Sequence, residues 1–390
     1  VFSKSQNLKI SKSQNLKISK SQNLKISKSQ NLKSIMPIQI RFPAALLMLA
    51  IALPLCFANL ALAQDDAVYR LRESGTGTTK IRGKITGTTP FSVLIQSDAG
   101  PQEIPVAEID KIEYLNQPLG LSRGEDRVND GRYEDALEEF GKLTPQEREN
   151  PQLKPEIEFW TATANAELAL AGNGAAAEAG RAVFSFLQAN PSSHHFYPAT
   201  ETLGKLLLAT GKLEPAAAEF AKLAQSKWPA LILRGHFFHG RTLIAMGKAS
   251  EAETAFKAIL ATASNDDTSQ TYKRLAEVEL AKVAAMSGNT DAAIKTLQGI
   301  IKAENPDNAT LFAFTYNALG VAQLKAGKIK EARNAFLHTH LLYPNEDEPH
   351  AEALYHLTSI WTELKNTDRA AQTREALKSS YRNSYWATKL

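Results

Sequence analysis

The chain has 390 residues, enough for two or three domains. Its formal net charge is +4, but the first 63 residues hold nine of the 45 Lys and Arg and none of the 41 Asp and Glu. The remainder carries 36 basic against 41 acidic residues, a net of −5, which removes bulk basicity as an argument for nucleic-acid binding; the single Cys, Cys56, lies in the leader, which excludes disulfide and thiolate chemistry from the rest.

Residues 1–35 are a low-complexity segment. Ser3–Ile10 recurs as Ser11–Ile18 and Ser19–Ile26 and begins again at Ser27. Leu and Ile alternating every eight residues fit neither a helix face nor a strand face. The reading expected is a translated nucleotide repeat ahead of the true start; the functional reading is a polar, basic, disordered tail. Met36 then opens a segment, 36–63, with the pattern of a secretory signal. Arg41 supplies the charge, Phe42–Phe57 the apolar stretch, and Ala61-Leu62-Ala63 a small-x-small cleavage site. Export to the periplasm or cell envelope is therefore expected. Membrane attachment follows only if the signal stays uncleaved or is lipidated, and Leu55 before Cys56 is too large for a lipid-attachment motif.

Residues 64–118 predict a small β module. Four strand-like runs, Lys80–Thr86, Ser92–Gln96, Gln102–Val106 and Ile109–Tyr114, are separated by turns at Gly87–Pro90 and Asp98–Pro101. Ile81 and Ile85 share a face, with Gly83 between them permitting a bend or bulge. The strand spacing and Ile104-Pro105-Val106-x2-Ile109-x2-Ile112 resemble a small SH3-like or Sm-like barrel. The first of those likenesses implies cell wall or peptide, the second RNA. The plainer expectation is a packing module that caps the helical array. For RNA, the segment offers only Phe91 and Tyr114 as stacking groups, with Lys80, Arg82 and Lys84 beside them.

Residues 119–390 predict a mainly α architecture of about seven helix pairs. A helix-ending residue recurs at Gly131, Gly172, Gly211, Gly247, Gly288 and Gly327, then as Asn366, spaced 41, 39, 36, 41, 39 and 39 residues apart. Seven residues earlier stand Gly204, Gly240, Ala281, Gly320 and Ser359. Five residues later stand Ala136, Ala177, Ala216, Ala252, Ala293, Ala332 and Ala371. Four further come Phe140, Phe220, Phe256, Leu297 and Phe336. Small residues allow two antiparallel helices to approach to roughly 8–10 Å, and the aromatics fill the space beside the crossing. Asn190-Pro191, Trp228-Pro229, Asn305-Pro306 and Tyr343-Pro344 mark helix ends.

The stretch from Phe312 to Pro344 carries the fullest version of this pattern: Tyr316, Leu319, Gly320, Ala332, Phe336 and Pro344. It resembles a tetratricopeptide (TPR) unit, with Tyr316 where Trp is usual and Gln323 where an aromatic is usual. The fold class this implies is a TPR-like α-solenoid preceded by a small β-barrel-like module. Two departures stand out. The period exceeds 34 residues, and Arg181 and Glu375 occupy places where the second and seventh units should be apolar.

The resemblance implies a partner held in the concave groove lined by the first helices. On that face, Lys205, Arg241 and Lys282 form a ladder of cations on three consecutive units, suited to a carboxylate or an acidic segment. Arg234 and Phe237 share the fourth unit's face, and Glu201, Asn317 and His356 take comparable positions in units three, six and seven. Solvated charges without a ligand are the alternative. The carboxylate clamp of chaperone-binding TPR domains is not carried over, since only Asn317 matches it. His236 and His239, His338 and His340, and His194-His195 lack supporting ligands in sequence, so no metal and no cofactor are expected. No phosphate loop, nucleophile elbow or Cys/His pair occurs, and no catalytic activity is expected. The aromatic end, Tyr381–Ala387, reads either as a cap or as a docking patch. The function expected is a non-catalytic scaffold of the cell envelope binding a protein or peptide, with no nucleic acid. Its alternative is a cell-wall-binding protein acting through the β module, with the helices as spacer.

Overall fold

In a computed structural model of the protein, residues 66–71, 77–264, 266–305 and 307–390 are described. The octapeptide copies and the signal-like segment Met36–Ala63 lie outside the described residues. Five strands come first: β1 (Asp66–Leu71), β2 (Thr78–Thr88), β3 (Ser92–Ser97), β4 (Gly100–Pro105) and β5 (Ile109–Glu113). They form one antiparallel sheet in the order β4-β3-β2-β1-β5. β1 was not anticipated, because one short Ala67-Val68 pair beside Asp66 gives too little alternation to read. The bulge also falls elsewhere than expected. Register shifts between Ile85 and Gly87, whereas Gly83 lies so close to the Gln96 carbonyl that a Cβ would collide with it.

One sheet face is apolar and belongs to the helices' core. Val68, Val93, Ile95, Ile104 and Ile112 join Leu121, Val128, Phe140 and Leu143 in a single buried cluster. Phe91 reaches further, packing on Tyr197 at 5.4 Å and Trp228 at 6.4 Å between ring centroids. Tyr114 is buried. Both aromatics considered for base stacking are thus engaged in packing.

Seven helix pairs follow: α1 (Leu119–Asn129) with α2 (Tyr133–Gly141); then, after the short α3 (Pro145–Arg148), α4 (Lys154–Leu170) with α5 (Ala176–Ala189); α6 (Phe196–Ala209) with α7 (Leu213–Ala224); α8 (Pro229–Ala245) with α9 (Ala249–Ala261); α10 (Asp267–Met286) with α11 (Thr290–Ala303); α12 (Ala309–Lys325) with α13 (Ile329–Leu342); and α14 (Asp347–Glu363) with α15 (Thr367–Ser380). A last short helix, α16, spans Tyr385–Thr388. Consecutive helices pack antiparallel and each pair stacks on the next, which is a TPR-like α-solenoid. Among the described residues no helix is long and apolar enough to cross a membrane.

The small-against-large crossing is visible at four pairs. A Cβ added at Gly204, Gly240 or Gly320 would come within 2.6, 2.7 and 2.6 Å of the rings of Phe220, Phe256 and Phe336. At Gly124 it would run into Phe140. All four Phe side chains are fully buried. Four details differ from expectation. In the second pair, Asn173 and Gly174 lengthen the turn, so Ala179 and Val183 are buried where Ala177 and Arg181 were expected. In the seventh, Lys365 takes the left-handed conformation (φ 56°) while Asn366 caps α15, accepting from Arg369 N at 3.2 Å. The small residue there is Thr358, bonded to Thr373 across the pair at 3.0 Å, rather than Ser359. Finally, Pro229 opens α8 instead of closing α7, since a first-turn Pro gives up no hydrogen bond.

The array curls until its end meets the second and fourth pairs. Asn383 Nδ2 donates to Ala169 O at 2.7 Å and to Gly174 O at 2.9 Å, at the turn of the second pair. Tyr385 Oη donates to Ala245 O at 3.3 Å, at the end of α8. The C-terminal aromatics turn inward: Trp386 packs between Tyr355 and His356, at 5.4 and 5.6 Å.

Candidate functional site

Because the solenoid curls so tightly, its inner helices face each other across a cavity of about 710 Å³. Helices from all seven pairs contribute, from Tyr133 to Tyr355, and the C-terminal residues Tyr381–Lys389 close one side. Leu208, Phe238, Ile244, Met286 and Trp386 form apolar wall. Five basic and five acidic side chains also line it, so the lining has no net formal charge.

The polar centre is a buried network joining helices of the fourth, fifth, sixth and seventh pairs. Arg241 Nη2 lies 2.8 Å from Glu348 and 3.8 Å from Glu352, and its Nε is 3.5 Å from Glu279. Lys282 Nζ donates to Glu352 Oε1 at 2.5 Å. Asn317 Nδ2 donates to Pro349 O at 2.7 Å and to Glu352 Oε2 at 3.3 Å. The Arg241 guanidinium rests on the Phe314 ring at 4.5 Å. Burial by itself would raise the Glu352 carboxyl, but Lys282, Arg241 and His356 beside it hold it below the usual range. Burial works against the Lys282 charge too, and Glu352 and Glu279 outweigh it, raising that pKa. His356 is pushed down to about 4, first by burial, so it is neutral near pH 7. Three atoms of the network have no hydrogen-bond partner among the described residues: Arg241 Nη1, a donor, and Glu279 Oε2 and Asn317 Oδ1, both acceptors.

The structure places the residues singled out in sequence as follows. Lys205, Arg241, Lys282 and His356 line the cavity. The cations do not form a free ladder, because each has an acidic partner in the same chain. Lys205 pairs with Glu201 at 2.8 Å, and Glu201 also pairs with Arg234. Phe237 is buried beneath the network, among Phe256, Tyr272 and Phe314. Asn317 is buried and acts as a strut to α14. Sequence reasoning missed Glu279, Glu348 and Glu352, which balance the cations, and it missed the closing role of Tyr385 and Trp386. A comparison between distant pairs, rather than between neighbours, would have been needed to find Glu352. Arg241 and Glu352 are far apart in sequence and meet only through the superhelical curl.

A second polar cluster lies where the sheet meets the array. Glu156 on α4 accepts from Tyr114 Oη at 2.8 Å and lies 2.7 Å from His195 Nε2 and 3.8 Å from His194 Nε2. All three acidic and imidazole groups are buried. Burial would raise Glu156, but the two histidines hold it down at about 2.

No protein-family model matches the chain, and no curated protein does. Solved structures similar to it include a tetratricopeptide repeat protein from Parabacteroides merdae, 20% identical, with a TM-score of 0.48 over 67% of this chain and 91% of that one. A Rap protein complexed with Competence and Sporulation Factor is 13% identical, with a TM-score of 0.48 over 70% and 77% of the two chains. NprR in complex with its cognate peptide NprX is 12% identical, with a TM-score of 0.43 over 69% and 80%.

Proposed function

We propose that the protein is a non-catalytic interaction scaffold that takes a short, extended stretch of a partner polypeptide into its inner cavity. The observation that carries this reading is the inner cavity itself, where apolar wall from Leu208, Phe238 and Trp386 surrounds the charged side chains of Arg241, Lys282, Glu279 and Glu348. Polar groups taken into such a cavity are costly unless met. A peptide backbone alternates carbonyl acceptors with N–H donors, which suits a wall that offers both cations and carboxylates beside apolar surface. The neutral lining argues against a strongly acidic occupant, and so against the carboxylate ligand that an unopposed cation ladder would attract. The volume lies within the roughly 300–1,000 Å³ range of sites that enclose small ligands, which suits a few residues rather than a folded domain.

The setting we propose is the cell envelope, on the strength of the Met36–Ala63 signal pattern. The β module then serves as cover for the first helix pair, supported by the core it shares with Leu121 and Phe140. A cell-wall role for the same module is the alternative. Deleting the sheet would uncover that core, so charge reversal at the exposed Arg82 and Lys84 is the cleaner test of it.

The experiment is selection of peptides from a random display library on the purified chain, followed by titration monitored through Trp386 fluorescence. The expected peptides are uncharged at their centre, compete with one another, and bind more weakly to a Glu279→Gln variant of unchanged circular dichroism. Peptides that bind this variant and the parent equally, or no enrichment at all, would refute the reading.

A further inference from the structure

The cluster at the joint between sheet and array has a geometry that its hydrogen bonds do not account for. Tyr114, Glu156 and His195 form a satisfied chain, with contacts of 2.8 and 2.7 Å. His194 does not belong to that chain. Its Nε2 stands 3.8 Å from Glu156 Oε1, beyond hydrogen-bonding range, although the residue is only 6% exposed. Its ring lies 3.9 Å from that of His195, so two imidazoles are turned toward one buried carboxylate.

We infer that Glu156, His194 and His195 form a binding site for one divalent transition-metal ion of the zinc class. One ligand atom from each residue lies within 4.8 Å of the others. Zinc accepts imidazole nitrogen and carboxylate oxygen at about 2.0–2.2 Å, which places tetrahedral ligands about 3.4 Å apart. The two contacts reach different oxygens of the carboxylate, 3.8 Å from His194 to Oε1 and 2.7 Å from His195 to Oε2, so an ion held between the rings and both oxygens needs the first to close slightly and the second to open by about 0.7 Å. Three protein ligands leave one position for water. The surroundings hold the ligands in place, as outer groups do at metal centres. Tyr114 Oη fixes one carboxylate oxygen, and Phe159 stacks on His195 at 3.7 Å with planes 7° apart. His195 N bonds Ser193 Oγ at 3.0 Å. The ion would tie the end of the sheet, α4 and the loop before α6 into one rigid joint. This inference is independent of the cavity and of its proposed occupant.

The test is titration of the chelator-treated full chain with zinc chloride by calorimetry, repeated with cobalt(II) by visible absorption. The expected result is one ion per chain, tetrahedral cobalt bands, and a melting temperature that rises with zinc concentration. His194→Asn leaves the Tyr114–Glu156–His195 chain intact and should fold normally, yet weaken zinc binding roughly a hundredfold or more. Glu156→Gln should do the same, and His340→Gln, whose Nδ1 lies 2.7 Å from His350 Nε2 in the last two pairs, should change nothing. Failure to take up one ion, equal affinity in His194→Asn, or loss of binding in His340→Gln would each overturn the assignment.

Discussion

Glu352→Gln is the substitution that probes the curl of the solenoid most directly. Glu352 is completely buried on α14, yet its partners come from other pairs: Lys282 at 2.5 Å, Arg241 at 3.8 Å and Asn317 at 3.3 Å. The amide keeps the shape and removes the charge. Lys282 and Arg241 are then left buried with one fewer counter-charge, and removing one partner of a buried pair costs about 3–5 kcal/mol. For a chain of this size that corresponds to a fall in Tm of about 5 °C. Stacked repeats do not always unfold as one unit, so hydrogen exchange is the more informative assay. Exchange should accelerate in α14 and α15 and at the Asn383 and Tyr385 contacts, while α1–α5 stay protected. A second variant, Glu352→Gln with Lys282→Met, should recover much of the loss, because the buried cation leaves with its partner. A single-variant loss under about 1 kcal/mol would mean that these ions are hydrated, since solvated pairs contribute only that much. The buried network would then be wrong.

Three other outcomes are expected. His356 and His350 are both depressed to about 4, chiefly by burial, so the unfolded chain takes up protons below about 6.5 that the folded chain refuses. Stability should therefore fall as pH drops from 6.5 to 4, with a shallower slope in His356→Gln; an unchanged slope in chemical unfolding would contradict this. Glu125, raised to about 8 by burial and then by the Glu156 charge, keeps its proton in the folded state where the unfolded chain has lost it. Stability from this group falls as pH rises through that window, so Glu125→Gln should stabilise the protein at pH 8 by on the order of a few kcal/mol and have little effect at pH 4. Gly240→Ala should destabilise in urea titration: crowding against Phe256 costs about 1–3 kcal/mol, offset by about 1 kcal/mol of helix propensity. A net gain of about 1 kcal/mol would show that the crossing is loose.

The periodic features were legible because they are local. A left-handed helix end needs Gly at Gly131, Gly211 and Gly327 wherever the chain goes next. The Gly and Phe of a pair, such as Gly320 and Phe336, lie sixteen residues apart across one short connection, so their spacing survives in the sequence. Legibility failed where a residue or two was inserted. The lengthened turn at Asn173-Gly174 made Arg181 look like a core position, and Lys365 in the left-handed conformation hid behind Asn366, a better residue for it. Strand β1 was unreadable for a different reason: its pairing with β2 and β5 on both sides, not its own pattern, makes it a strand.

The sequence by itself determined that paired helices would stack, that there would be about seven pairs, and, where the turn length is regular, which small residues would let them touch. These follow from contacts within some forty residues, where spacing and geometry are nearly equivalent. Only the tertiary structure decided what the inner surface is. The cations placed there by register are matched by Glu279, Glu348 and Glu352, and Glu156 meets His194 and His195 across the loop before α6. The small rotation between successive pairs, accumulated over the array, brings the last inner helix against the fourth and fifth. No local pattern records that sum.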